Sequence, residues 1–347
     1  MPAFTRSKER KKLTHWQRFL IFLPAGLLAL FVIFALSLRF GATESTWGDV
    51  FGALFNYNSD SWAQTTVRDI RLPRFIADLI VGASLSIAGA IMQGTTKNPM
   101  ADSGIMGISS GSTLGVVVIM AFFPEAGRYE KMGMAALGAA IVTFAIYAIA
   151  FLGKRRVSPD RLVLSGMAIS TLLASLTSAI ILKNGLMTQM VKYTSASSAN
   201  TVWNDVLIAL PFFAAGVLFA LIISRQLTVS NLGDDVAKGL GANVVIVRLI
   251  STLVVLVLSA VAVVIIGPVS YIGLMIPYIA RYMVGTDYRY CLPIAGIYGA
   301  FFVSLVDLIA RNVMPGVEFP VGLIITVIGV PFFIYVSRRQ KGETFDA

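Results

Sequence analysis

Long apolar runs recur along the whole chain and constrain its fold more than any other feature of the sequence. Runs bounded by charged residues, glycine and proline form ten segments, at roughly 19–38, 75–94, 104–123, 132–152, 162–182, 206–224, 246–266, 270–284, 291–311 and 320–336. An α-helix needs about 20 apolar residues to cross a bilayer. The eighth segment is barely long enough and contains Pro277, so we expect it to be tilted, broken or partly inserted. With 56% hydrophobic and 13% charged residues, the chain is not an ordinary soluble enzyme but an all-α integral membrane protein.

The distribution of basic residues indicates the topology. With the N-terminus inside and the ten segments alternating, 19 of the 28 lysines and arginines fall on the inner side and nine on the outer side. The acidic residues divide almost evenly. The positive-inside rule therefore favours ten spans with both termini cytoplasmic, and it explains the net charge of +10 without a nucleic-acid partner.

Several functions are excluded by what the sequence lacks. A single cysteine, Cys291, and a single histidine, His15, allow no disulfide within the chain, no His/Cys zinc cluster and no bis-histidine haem site. The phosphate-binding pattern G-x-x-x-x-G-K-[ST] does not occur, so we expect no ATP binding by that motif. The basic N-terminus leads into an apolar run of about 20 residues, longer than the 7–15 of a secretory signal, and we interpret it as a retained first helix.

A group of arginines departs from the positive-inside rule. Three of them precede the second segment in the stretch VRDIRLPRF: Arg68, Arg71 and Arg74. Arg311 ends the ninth segment on the same side. One interpretation is that they reach outer headgroups and pair locally with Asp69 and Asp78. The other is an electropositive external platform for an acidic protein partner.

Asp307 lies within the ninth segment, where a carboxylate is costly and usually paired. Arg311 is four residues further on, so we favour a helical i,i+4 ion pair over a proton relay. Glycines are concentrated in and after the second segment, and we assign them to close helix packing rather than to ligand binding. They are Gly82, Gly89, Gly94, Gly104, Gly107, Gly111 and Gly115.

The junction Lys97-Asn98-Pro99-Met100 interrupts the chain between the second and third segments on the cytoplasmic side. Proline ends the helix and leaves Asn98 and Met100 on irregular backbone, which is tolerated at membrane depth when it lines a cavity or is buried in protein. A gate and a simple re-entrant turn are both consistent with this pattern.

The longest cytoplasmic connection runs from Arg225 to Arg248. We expect a short helix in it, capped by Asn231, begun by Asp234 and Asp235 and ended by glycine. Such a helix could insert an apolar face into a groove of a cytoplasmic protein, although a solvated loop is the simpler alternative. The residues of that face and of the helix end are Val236, Ala237, Leu240, Gly239 and Gly241.

Four long signatures resemble one family, the iron-siderophore and cobalamin (FecCD-type) permeases of type II ABC importers, over essentially residues 20–340. They are RLPRFIADLIVGASLSIAGAIMQG at 71–94, NPMADSGIMGISSGSTLG at 98–115, LGDDVAKGLGANV at 232–244, and GPVSYIGLMIPYIARYMVGTD at 267–287 followed by LVDLIARNVMPGVEFPVGLIITVIGVPFFIYVSRR at 305–339.

The resemblance implies a ten-helix permease domain over residues 19–337, a coupling loop at about 225–245, and cytoplasmic tails at 1–18 and 338–347. Two permease subunits, identical or different, would sit beside two ATPase subunits that bind ATP and Mg. An extracytoplasmic binding protein would deliver a ferric siderophore through a bacterial cytoplasmic membrane. The chain itself would bind no cofactor, and its cavity would present Ser, Thr, Met and apolar side chains.

The resemblance also implies roles for particular residues. Arg71, Arg74 and Arg311 match arginines that form ion pairs with acidic residues of the binding protein. The coupling loop that docks into the ATPase corresponds to Gly233, Asp234, Asp235, Ala237, Gly239, Leu240 and Gly241. The cytoplasmic gate corresponds to Asn98, Pro99 and Met100, with methionine where a relative has leucine, and a second gate falls near Ser158, where the sequence departs from the family.

Other functions stay open from the sequence. A permease of the same family for cobalamin or haem is one alternative, and ferric siderophore is preferred because it dominates the family. An ion-coupled secondary transporter also requires many spans and glycine-broken helices. A purely structural membrane scaffold is a third class.

Overall fold

The computed structural model describes residues 14–41, 43–102, 107–152, 159–194, 196–313 and 319–345, and every regular element within these ranges is helical. The elements are α1 (His15–Arg39), α2 (Trp47–Phe55), α3 (Trp62–Thr65), a π-helical segment (Thr66–Arg71), α4 (Leu72–Thr96), α5 (Ile108–Phe122), α6 (Arg128–Leu152), α7 (Pro159–Asn184), α8 (Met187–Thr194), α9 (Trp203–Asn231), α10 (Asp234–Gly239), α11 (Val244–Ile266), α12 (Ile272–Val284), α13 (Tyr288–Ala310) and α14 (Val321–Phe345).

Each of the ten predicted apolar segments forms a helix. Seven helices of the described chain are long and apolar enough to cross a membrane, and three shorter apolar helices lie at Ile108–Phe122, Ile272–Val284 and Val321–Val336. The prediction of a short eighth segment is confirmed, because α12 has 13 residues and contains Pro277. At 1.5 Å per residue α12 is about 20 Å long, less than the ~30 Å hydrocarbon core.

Helix α4 lies at the centre of the protein and packs against α13, α11, α9 and α12. Nearly all of its side chains are buried. A Cβ atom on Gly82 would collide with the backbone of Gly299 in α13, and one on Gly89 would collide with the backbone of Gly273 in α12. The assignment to close helix packing is therefore confirmed for Gly82 and Gly89, while Gly104 lies outside the described residues.

A second layer is formed by α5, α6 and α7. Glycine again allows the approach, since Gly111 of α5 faces the carbonyl of Gly138 in α6 and Gly115 faces the backbone of Met134. The hydroxyl of Ser112 donates to the Ala135 carbonyl at 2.9 Å, so a polar side chain at this helix contact has a partner.

Short helices that the sequence analysis did not predict lie in the connections. Helix α2, α3 and the π-helical segment occupy the connection between the first two spans, and α8 occupies the connection before α9. Thr46 and Asp49 form a capping box at the start of α2, with the Asp49 carboxylate accepting from the Thr46 N–H at 2.7 Å. The side-chain hydrogen bond from the Thr46 hydroxyl lowers the pKa of Asp49.

The connection that contains α10 corrects one prediction. Helix α9 continues to Asn231 instead of ending near residue 224, so Asn231 is the last residue of α9 and does not cap α10. Gly233 occupies the N-cap position with φ of 126°, a conformation that favours glycine. Residues 225–231 therefore extend the membrane helix, and only 232–243 connect it to α11.

Candidate functional site

A buried ion pair joins α4 to α13 at the ends that lie opposite α10. Arg74 donates from Nε and Nη2 to Oδ1 of Asp307 at 3.0 and 2.7 Å, although the two residues are 233 positions apart. The side chains are 5% and 0% exposed. Two donors of one guanidinium on one carboxylate fix its orientation, which gives the contact geometric specificity as well as energy.

Three further groups surround this pair. Arg311 places Nε 3.5 Å from Oδ2 of Asp307, and Ser198 donates its hydroxyl to Oδ1 at 3.1 Å. Asp78 of α4 is also buried and interacts electrostatically with Asp307 and Arg74. We call Arg74, Asp78, Ser198, Asp307 and Arg311 the buried charge cluster. It holds two arginines and two carboxyl groups inside the protein, where charges need partners.

The contacts within the buried charge cluster test the ion pairs that the sequence predicted for Arg74 and Arg311. The predicted i,i+4 ion pair of Asp307 and Arg311 is confirmed. Of the two expected local partners, Asp78 interacts electrostatically with Arg74, whereas Asp69 is exposed and Arg74 binds Asp307. The Arg74–Asp307 contact itself was missed, because no sequence spacing connects position 74 to position 307.

Arg71 binds main-chain carbonyls at the end of α1. Its Nη1 donates to the carbonyls of Leu38 and Arg39 at 2.7 and 3.0 Å, and its Nη2 donates to the Thr43 hydroxyl at 3.1 Å. The last carbonyls of a helix lack intrahelical partners, and a cation there also interacts favourably with the helix dipole. Arg71 thus ties α1 to the start of α4.

The guanidinium groups of the three predicted docking residues therefore already have partners within the chain. Arg71, Arg74 and Arg311 are 3%, 4% and 7% exposed. An acidic protein partner would have to compete with the internal carbonyls and with Asp307 for these guanidinium groups. Their role in docking stays a prediction.

A groove lined by hydroxyl groups runs on both sides of α8. One cavity of about 450 Å³ lies between α5, α7 and α8, and another of about 450 Å³ lies between α8, the start of α12 and α14. Val191, Thr194 and Pro268 line both cavities. We call the two together the hydroxyl-lined groove. Its hydroxyl-bearing side chains are Ser109, Ser110, Thr113, Thr177, Ser178, Thr194, Ser270, Tyr271 and Thr326.

The groove presents neutral oxygen atoms and apolar atoms, since none of its lining residues carries a charged side chain. Such a surface can hydrogen-bond a polar solute without holding an ion tightly. In the described part of the chain, no group of three or more His, Cys, Asp or Glu side chains could hold a metal ion. The run ISSGST at 108–113 was the sequence signal for this groove, but its glycine drew attention to packing instead.

The predicted gate lies on irregular backbone. Helix α4 ends at Thr96, and Lys97 adopts a left-handed conformation with φ of 51°. The side-chain oxygen of Asn98 accepts from the Met100 N–H at 2.9 Å, which forms a tight turn around Pro99. The interruption of the helix is confirmed, its gating role stays a prediction, and Ser158 lies outside the described residues.

Helix α10 projects from the end of α9. Val236 and Leu240 are 51% and 66% exposed, whereas Ala237 is buried against the rest of the chain. Asp235 and Lys238 form an exposed i,i+3 ion pair with a separation of 3.7 Å. The apolar face available to a partner therefore consists of Val236 and Leu240 and excludes Ala237.

The end of α9 that leads into α10 is fixed to the start of α13. The Thr228 hydroxyl accepts from the Tyr288 N–H at 2.9 Å and lies 3.3 Å from Oδ1 of Asp287. Arg289 donates to Asp287 from Nη2 at 2.6 Å. Partial burial raises the pKa of Asp287, but the hydrogen bonds from Arg289 and Thr228 and the charge of Arg289 outweigh it and leave the pKa below its usual range.

Comparison with known proteins decides the family. A sequence model of the FecCD transport family matches residues 28–339. The chain belongs to the FecCD transport family. It is 36% identical to the iron(3+)-hydroxamate import system permease protein FhuB of Bacillus subtilis, over 92% of this chain and 84% of that protein. It is 35% identical to the ferric enterobactin transport system permease protein FepD of Escherichia coli, over 92% and 96% of the two chains.

A solved structure shares the fold of this FecCD family member. It is an inward-facing conformation of an ABC transporter assigned to the metal-chelate type, and it superposes with a TM-score of 0.81 at 26% identity. The match covers 91% of this chain and 98% of the other. The arrangement of helices described above is therefore that of a multi-span membrane permease.

Proposed function

We propose that this chain is the permease subunit of an ABC importer that carries an iron(III)–siderophore complex into the cytoplasm. The observation that carries the proposal is the family match across residues 28–339, with relatives aligned over most of their length that are permeases of ferric chelate import systems. The chain would catalyse no reaction. Separate ATPase subunits would bind ATP and Mg, and an extracytoplasmic binding protein would deliver the substrate.

The hydroxyl-lined groove supports a chelate as the substrate. A siderophore surrounds its iron with its own oxygen donors, so the permease needs no metal ligands and can bind the outer surface of the complex. Neutral hydroxyl groups suit this task, because they form hydrogen bonds that are individually weak and easily exchanged as the complex moves. A second permease subunit, identical or related, would complete the passage.

The charge distribution supports the orientation. Placing 19 of the 28 basic residues inside puts both termini and α10 in the cytoplasm. Exposed Val236 and Leu240 would then face an ATPase subunit, and the hydrogen bond that joins Thr228 of α9 to Tyr288 of α13 would help to transmit its movement. The buried charge cluster would lie near the extracytoplasmic surface of a bacterial cytoplasmic membrane.

Radiolabelled uptake in a strain lacking this chain tests the proposal. Ferric hydroxamate, ferric catecholate, haem and cobalamin are offered in turn, and the strain is complemented with wild type, Leu240→Asp or Phe123→Asp. Leu240 and Phe123 are 66% and 67% exposed, but only Leu240 follows directly on α10, whereas Phe123 lies at the end of α5 outside the coupling loop. We expect one ferric chelate to depend on the chain, and Leu240→Asp to abolish its uptake while Phe123→Asp preserves it at equal protein levels.

Other outcomes identify the alternatives. Dependence of cobalamin or haem uptake alone would assign a different substrate within the same family. Uptake that persists without any ATPase subunit and collapses with the proton gradient would contradict the ABC importer and favour an ion-coupled secondary transporter. Normal uptake of all four compounds in a strain that also lacks related permeases would refute the proposal.

A further inference from the structure

Two adjoining cavities lie between α6 and α11 on the side opposite α10; α5 and α8 complete the first cavity, and α9 completes the second. The first, of about 360 Å³, is partly polar and is lined by Arg128, Lys131, Tyr193 and Asn200 among others. The second, of about 410 Å³, is almost entirely apolar. Met132 and Val264 line both cavities, so the two are neighbours, and we call them together the depression, with a polar end and an apolar groove.

The apolar groove follows the membrane-spanning parts of the three helices. Its side chains come from the first half of α6, the first half of α9 and the second half of α11, all of which are candidate spans. Ile208 and Phe212 at its edge are exposed, which means that the groove opens sideways toward lipid. Water is not stable in an apolar groove at this depth, whereas a hydrocarbon chain is.

The polar end retains donors that the protein does not use. Arg128 is already occupied, because it binds Asp205 at 2.6 Å and the Asn200 carbonyl at 2.6 Å. Lys131 is half-buried, and its ammonium group forms no ion pair or hydrogen bond with the described residues. The Tyr193 hydroxyl is buried without a hydrogen-bond partner within those residues. A buried donor without a partner is unfavourable, so the Tyr193 hydroxyl indicates a missing acceptor, and Lys131 adds a positive charge to the same cavity.

The charges around this end limit what the acceptor is. Asp205 compensates Arg128, and the nearby Glu130 carboxylate is bound to the Gly127 N–H. Lys131 therefore offers a single additional positive charge beside a hydroxyl donor. An anionic oxygen such as that of a phosphate diester fits this combination, and the adjoining apolar groove requires that the anion carry a hydrocarbon chain.

We propose that this depression binds one phospholipid from the membrane leaflet on the side opposite α10. The phosphate accepts hydrogen bonds from Lys131 and Tyr193, and one acyl chain fills the groove between α6, α9 and α11. The bound lipid would act as a wedge that stabilises the packing of these three helices, since a ligand that binds only the folded state stabilises it. This inference does not depend on the transported substrate.

Gly133 provides a direct test, because a Cβ atom there meets nothing within 4 Å and the residue lines the groove. Gly133→Leu places a side chain in the space of the acyl chain without displacing protein atoms. Lys131→Gln removes the charge at the polar end. Matched controls are Leu137→Phe, an exposed position of α6 outside the groove, and Lys183→Gln, an exposed lysine outside both cavities.

The measurement is native mass spectrometry of the purified full chain after incubation with phosphatidylglycerol or phosphatidylcholine. We expect one retained phospholipid on wild type and on both controls. Gly133→Leu should remove the space for the acyl chain, and Lys131→Gln should remove one charge-assisted hydrogen bond to the phosphate. We expect each change to reduce lipid retention by about tenfold. Phosphatidylglycerol should also raise the melting temperature of wild type but not of Gly133→Leu.

Three results would overturn the proposal. Equal lipid retention by Gly133→Leu and wild type would show that the groove does not hold the acyl chain. If inorganic phosphate raised the melting temperature as much as phosphatidylglycerol, the site would bind a phosphate anion without its acyl chains. A change in oligomeric state with Gly133→Leu would indicate that a second copy of the chain covers the groove. If Gly133→Leu accumulates poorly, lipid retention is compared between Lys131→Gln and its control Lys183→Gln instead, and equal retention by the two would also contradict the proposal.

Discussion

Replacing Asp307 with asparagine is expected to destabilise the protein by about 3 kcal/mol, because it removes the counter-ion of two buried arginines. Asp307 is 0% exposed and accepts from Arg74 at 2.7 and 3.0 Å, with Arg311 3.5 Å away. Unit charges 4 Å apart interact with about 4 kcal/mol at an effective dielectric constant of about 20. Asp78 remains beside the arginines and supplies part of the lost negative charge, so we take the lower end of the range for broken buried pairs.

A double-mutant cycle isolates the pair from the rest of the cluster. Arg74→Met, Asp307→Leu and the double variant are unfolded in mixed micelles of a mild detergent and dodecyl sulfate, and unfolding is followed by circular dichroism. Because the double variant leaves neither charge unpaired, it should be less destabilised than the sum of the single variants, with a coupling energy of about 2–3 kcal/mol.

The pair of Arg289 and Asp287 is the matched control, since it is more exposed, with side chains that are 54% and 14% exposed. Its cycle, Arg289→Gln with Asp287→Asn, should give a coupling energy below about 1 kcal/mol, because water screens an exposed pair. The reasoning would be refuted if Asp307→Asn lay within about 1 kcal/mol of wild type, or if the two cycles gave equal coupling energies.

Two more predictions concern packing and pH. Gly82→Val should destabilise the protein by about 3 kcal/mol or more, since its Cβ would collide with the Gly299 backbone, whereas Gly133→Ala, in open space, should leave the melting temperature nearly unchanged. Similar melting temperatures for the two would contradict the close approach of α4 and α13. The lowered pKa of Asp287 means that its contribution to stability is present above pH 3.8 and is lost as the pH falls through the lower folded-state value. The melting temperatures of wild type and Asp287→Asn should therefore differ at pH 6 and converge in acid, and a constant difference would show that the carboxylate is not responsible.

Local features were predictable from the sequence where the information lies within a few residues. Apolar runs identified ten helices, of which seven in the described chain are long enough to cross a membrane, and the i,i+4 spacing identified the pair of Asp307 and Arg311. The glycines of α4 were assigned to packing without knowledge of the helices they touch. Helix α10 was expected from Asp234 and Asp235, although its cap was misassigned to Asn231 because the helical tendency of residues 225–231 was underestimated.

The short helices α2 and α8 could not be predicted from the sequence for a different reason. Helix α8 has eight residues and α2 has nine, too few for an apolar periodicity to stand out from a polar connection. Helices of this length are marginal in isolation and depend on tertiary packing. Both cavities of the hydroxyl-lined groove share α8, so the groove could not be located without it.

The sequence by itself determined that this chain is a bundle of about ten membrane helices of the FecCD family, because apolar length and residue spacing act locally along one helix. Only the tertiary structure decided which helix faces meet. The contact of Arg74 with Asp307, the position of the α5, α7 and α14 hydroxyls around α8, and the placement of a polar cavity next to an apolar one beside α6 all depend on helix rotation and contact. Helices with interchangeable apolar surfaces leave that choice to close packing and to the few buried charges that must find partners.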